Sequence, residues 1–111
     1  MPVATSKVIL AGLDSPLGEE LTQALRALDV EIVSHDDPSA TVAFCAPDRV
    51  ATLHRDRPDV AVVVVSPRCE VKQWLSALEA GAQEYCAAPF ETLHLDWVIR
   101  SSIRSAAARV A

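Results

Sequence analysis

No apolar run in this chain approaches the length of a membrane span, and the stretch from Val60 to Val65 is far too short for one. The opening residues, MPVATSK, lack the apolar core of a secretion signal, so the expected location is the cytoplasm. Cysteine is scarce and unpatterned. Cys45, Cys69 and Cys86 are odd in number and show no CxxC spacing, which argues against a disulfide framework. They read as small buried apolar residues of a reducing compartment. His35, His54 and His94 stand apart from one another and from the cysteines, so no metal site is expected. Lysine and arginine together number 10 against 15 acidic residues, and they are scattered, so no nucleic-acid surface is indicated. Repeats, low-complexity tracts and internal linkers are missing as well.

What is present is apolar. Half of the 111 residues are hydrophobic, enough for one folded domain over 1–111 with a single core. That length leaves no room for a two-lobed enzyme, and neither an activity nor a cofactor is expected.

The chain is organised around Asp59–Phe90. Val60 to Val65 is almost entirely β-branched and reads as a buried strand, stopped by Ser66 and Pro67. Val71, Trp74, Leu75 and Leu78 then recur at helical spacing and form one stripe. Gly81 sits where a helix C-cap glycine belongs. A second strand, Ala82 to Ala87, leads into Ala88-Pro89-Phe90. Strand, helix and strand with short connections make a βαβ unit, hence a parallel sheet.

Upstream, Lys7 to Ala11 reads as a central strand. Ser15 and Pro16 mark a helix start, as cap and first helical residue. Leu17, Leu21, Ala24, Leu25 and Leu28 form the helix's inward stripe, and Val30 to Ser34 is a second strand. The segment from His35 to Pro58 has two readings. In one, a helix begins at Asp37-Pro38 and Pro47 breaks it. The preferred one makes Thr41 to Cys45 a strand and Pro47 to Arg55 a helix, because Val42 and Phe44 favour strand and proline suits a helix start. No helix then fits between the second and third strands, which leaves about five strands and four helices. The last helix begins near Glu91 or Thr92, with Leu95, Val98, Ile99, Ser102, Ile103 and Ala106 as its stripe.

Four features of the central stretch carry a resemblance: Ser66 ending a strand, the Ala77-Leu78-Glu79-Ala80-Gly81-Ala82 helix end, Tyr85, and Ala88-Pro89-Phe90. Together they resemble the second half of a response-regulator receiver (CheY-like) domain. The resemblance implies a flavodoxin-like, doubly wound parallel sheet and a part in two-component signalling or a phosphorelay. In that family acidic residues after the first strand bind Mg²⁺, and an aspartate ending the third strand accepts a phosphoryl group. A lysine before a cis-proline and a Ser or Thr ending the fourth strand hold the phosphate.

Carried onto this sequence, the acidic pair falls at Gly12 and Leu13, with only Asp14 nearby. The phosphoacceptor position falls at Cys45, or at Val64 if Val60 to Val65 were the third strand. The lysine is Ala88, followed by Pro89. Three of the four chemical elements are missing, so the resemblance points to a degenerate pseudo-receiver. It would work through a protein partner or a homodimer, without aspartate phosphorylation.

Ser66 and Tyr85 match the family pair that couples the site to an inward or outward aromatic. Ser66 reads equally as a hydroxyl satisfied by nearby backbone, and Tyr85 first as a half-buried ring with its hydroxyl in water. The face from Glu70 to Arg104, with Trp74 and Trp97, is the expected partner surface. An output domain beyond Ala111 is a further expectation. Asp36 and Asp37 read as a solvated loop pair, and Cys45 as an inert thiol between apolar neighbours. The main alternative is a small Rossmann-like dinucleotide-binding domain using the Gly12–Gly18 loop. It lacks the middle glycine, replaced by Ser15, and has no Tyr-x-x-x-Lys pair, since Pro89 stands four residues after Tyr85.

Overall fold

The computed structural model describes residues 7–13, 16–68 and 70–110, with 103–110 as backbone only. The carboxylate Asp14, the expected cap Ser15, the third cysteine Cys69, and the side chains of Ile103 and Ala106 therefore lie outside the described residues.

Five parallel strands form one sheet in the order β2-β1-β3-β4-β5. In chain order they are β1 Lys7–Ala11, β2 Glu31–Val33, β3 Val42–Cys45, β4 Ala61–Ser66 and β5 Glu84–Ala87. Four helices connect or follow them: α1 Leu17–Arg26, α2 Val50–Asp56, α3 Val71–Glu79 and α4 Thr92–Val110. This is the flavodoxin-like, CheY-like arrangement expected from the sequence.

Strand alternation divides the core in two. Val8, Val42, Phe44, Ala61, Val63 and Val65 face α1 and α4, where they meet Leu21, Leu25, Leu95 and Val98. Ile9, Ala43, Cys45, Val62 and Val64 face α2 and α3 with Val50, Leu53 and Ala77. Every residue of β3 and β4 is buried, as a parallel strand covered on both faces must be. Phe44 is the largest of the fully buried side chains, and truncating it to alanine would cost about 3–5 kcal/mol.

The region from His35 to Pro58 follows the preferred reading. Residues 34–41 are turns, with no helix between β2 and β3. Pro47–Arg49 form a 3-10 turn that runs into α2. Arg57 ties the short connection down: its guanidinium donates to the His35 carbonyl at 2.8 Å while pairing with Asp59. The aspartates of that connection act locally. Asp36 accepts from Ser34, and Asp37 accepts the Ser39 amide at 2.8 Å. These bonds hold both carboxyls below their ordinary range.

Gly81 does what its position promised. Its φ is +112°, its amide bonds to Leu78, and the Ala82 amide reaches back to Ala77. That pair of bonds is the Schellman C-cap. One expectation needs correction: Pro16 is the residue before α1, not its first helical residue. The apolar stripe of α3 faces away from the sheet: Val71, Trp74, Leu75 and Leu78 are all exposed, and Ala77 is the helix's one buried residue. Periodicity reveals a stripe but not which side the sheet lies on.

Candidate functional site

The carboxyl ends of β1, β3, β4 and β5 converge on one cleft of about 450 Å³. β1 and β3 are neighbours whose outgoing chains cover opposite faces of the sheet, so a crevice opens between them. In open α/β sheets ligands bind at this switch point. Gly12 and Leu13 line the cleft after β1, Ala46 and Pro47 after β3, Val65 and Pro67 at β4, and Ala88 after β5. Glu20 of α1 is the one charged residue among the described residues of the lining.

Of the resemblance-derived positions, Asp14 lies outside the described residues. Gly12 and Leu13 stand in the cleft wall, as does Ala88, whose peptide bond to Pro89 is cis. Gly12 has a φ of +67°, and a Cβ built on it would lie 2.9 Å from Cγ of Arg49, so that side chain leans over a bare backbone. Cys45 ends β3 beside Ala11 of β1, but it is fully buried and points into the α2–α3 core. The cleft meets its neighbour Ala46 instead. Burial, reinforced by Asp48, pushes the Cys45 thiol up to about 12. A thiol held neutral at physiological pH is a poor nucleophile.

The Mg²⁺ that the resemblance implies finds few ligands among the described residues of the cleft. Mg²⁺ takes six oxygen ligands, several of them waters, and is held by one or two protein carboxylates together with phosphate oxygens. Glycine, leucine and alanine side chains supply none, and Glu20 supplies one carboxylate. Among the described residues no group of three or more His, Cys, Asp or Glu side chains could hold a metal ion.

Beside the cleft, Ser66 and Tyr85 are brought together on one acceptor. Ser66 Oγ donates to the Arg68 carbonyl at 2.7 Å, and Tyr85 Oη donates to the same oxygen at 2.9 Å. Gln73 Oε1 lies 3.3 Å from Ser66 Oγ and 3.4 Å from Tyr85 Oη. The Arg68 amide returns a bond to Ser66 Oγ at 3.3 Å. Ser66 is thus satisfied by nearby backbone, as one reading of the sequence held. Tyr85 is half-buried as expected, and its hydroxyl bonds the loop between β4 and α3 at an exposed position. Gln73 was not anticipated as a member, and only its helical placement on α3 brings it there.

Trp74 on α3 is 43% exposed, and Trp97 on α4 is 57% exposed. Leu93 on α4 is exposed at 84%, and His94 stacks on Trp97 with ring centroids 6.4 Å apart. These two helices flank the edge strand β5 on opposite faces of the sheet. Leu93 and His94 lie within the expected Glu70–Arg104 face without having been singled out in it, and they fall outside the helix's inward stripe.

No family model matches the chain, and no curated protein does either. Solved structures do match. A receiver domain from Methanospirillum hungatei superposes with a TM-score of 0.76 at 14% identity, covering 96% of this chain and 99% of that one. The fold is that of a response-regulator receiver domain. NtrX from Brucella abortus in complex with ATP gives a TM-score of 0.79 at 14% identity, over 96% of this chain and 28% of that longer one. The beryllofluoride-activated NtrC4 receiver domain dimer gives 0.72 at 13% identity, over 90% and 98%. The dinucleotide alternative is not favoured beside these. Gly18 has its own packing reason, since a Cβ there would stand 2.8 Å from the Leu13 carbonyl oxygen. No helix of the described residues is long and apolar enough to cross a membrane.

Proposed function

We propose that this chain is a pseudo-receiver, a signalling or regulatory domain that acts through protein contact without aspartyl phosphorylation. The observation that carries this reading is the apolar cleft: the receiver fold's sheet edge is lined here by Gly12, Leu13, Ala46, Val65 and Ala88. A phosphoryl group needs a carboxylate to accept it and cations to hold it. Cys45 at the end of β3 offers no carboxylate, and Ala88 before Pro89 offers no cation. The domain is not an enzyme on this reading.

The working surface is the α3–β5–α4 side, from Glu70 to Arg104. Tryptophan is enriched at contact surfaces, and Trp74 and Trp97 are both exposed here. The occupant is a protein partner, a second copy or an output domain attached beyond this chain. Ser66 and Tyr85 are the remnant of the switch linkage, held together through Arg68 and Gln73. Free, buried Cys45 and Cys86 suit a reducing cytoplasm. Incubation with acetyl phosphate and Mg²⁺ followed by intact-mass measurement tests the reading. The unchanged mass is expected, and an acid-labile phosphoryl adduct would overturn it.

A further inference from the structure

The cleft that carries no phosphate chemistry has the attributes of a different site. We propose that it binds a small apolar molecule bearing a single amine, with the apolar body between Leu13, Ala46, Val65 and Ala88 and the amine toward Glu20. The proposal does not depend on the signalling reading above.

Three observations support it. Its volume of about 450 Å³ falls within the range of small-molecule sites, which are mostly apolar with a few polar groups fixing orientation. It lies at the switch point between β1 and β3, where this sheet topology places ligands. The third is charge. Among the described residues of the lining Glu20 is the one ionisable group, and no lysine or arginine is counted with them. A phosphate or carboxylate ligand would bring a like charge to that carboxylate, whereas an ammonium group is its complement. The N-terminal end of α1 favours negative charge nearby, and Glu19 and Glu20 in its first turn already supply it. Arg49 leans over Gly12 outside the lining, which makes an anionic control necessary.

The test is a titration of the isotope-labelled chain with 2-phenylethylamine and with 3-phenylpropanoate, at a pH where both are charged, followed by amide NMR. Saturable shifts are expected at Gly12, Leu13, Ala46, Val65 and Ala88, with the amine binding about tenfold tighter than the acid, the size of one well-placed charge pair in water-exposed surroundings. Glu20→Gln should remove that preference while apolar binding persists. Ala88→Lys places an ammonium group inside the cleft and should abolish amine binding; thermal melts check its folding, and Glu20→Gln, at an exposed position, carries the test if it does not fold. Shifts that never saturate, or an acid that binds as tightly as the amine, would overturn the proposal. So would movement of the same amides on dilution of the protein alone, which would mean that a second copy fills the cleft.

Discussion

Ser66 and Tyr85 share one acceptor: their hydroxyls stand 2.7 and 2.9 Å from the carbonyl oxygen of Arg68. Two donors on one carbonyl use both of its lone pairs, so the loss of either changes what the other meets. Tyr85→Phe should cost about 0.5–1.5 kcal/mol, the usual net worth of one hydrogen bond. Ser66→Ala should cost at least as much, because Ser66 also receives the Arg68 amide. Members of one network couple by about 0.5 kcal/mol or more. Urea unfolding of both single variants and the double variant measures that coupling; strict additivity would show that the shared acceptor has no energetic content.

Trp74 and Trp97 should be dispensable for folding. Exposed at 43% and 57%, they contribute little to the core. Replacing either with alanine should change stability by no more than about 0.5 kcal/mol. A buried tryptophan would cost about 3–5 kcal/mol. Denaturant midpoints separate the two cases, and a loss of self-association or partner binding at unchanged midpoint is the outcome expected of a contact surface.

The buried thiols give stability a defined alkaline limb. Burial pushes Cys45 up to about 12 and Cys86 up to about 11, from an ordinary value of 9.0. Both folded values are raised, so the unfolded chain gives up these protons first. The contribution is fully present below pH 9 and is lost as pH rises toward 11 and 12. Melting temperature should therefore fall above pH 9, and Cys45→Ala and Cys86→Ala should each flatten that fall. An alkaline limb unchanged by both substitutions would contradict the burial account.

Ser102 on α4 is fully buried, and its hydroxyl finds no hydrogen-bond partner among the described residues. A hydroxyl buried in that way costs about 1–3 kcal/mol. Ser102→Ala removes it without opening a large cavity and should raise the unfolding free energy by about 1 kcal/mol. A destabilised variant would mean that the hydroxyl has a partner.

The sequence was most readable where one residue type dominates. Val60 to Val65 could only be a buried strand, and Pro47 with Val42 and Phe44 was enough to place β3 and deny the chain a helix before it. The direction of the α3 stripe was not readable, because periodicity orders residues around a helix and says nothing about where the sheet lies. Gln73 joined Ser66 and Tyr85 for the same reason: it is seven and twelve residues away, and only the packing of α3 closes the gap. Gly12, Leu13 and Ala88 were found through the resemblance alone. That they enclose a cleft with one carboxylate among its described residues, and that Cys45 turns away from it, depended on four strand ends meeting.

The most direct measurement is an amide NMR spectrum of the labelled chain with beryllofluoride and millimolar Mg²⁺. The account predicts a spectrum that superposes on that of the untreated protein, with Ala46, Ser66, Tyr85 and Ala88 unmoved. Saturable, Mg²⁺-dependent shifts that trace to the ends of β1 and β3 and extend to Tyr85 would contradict it.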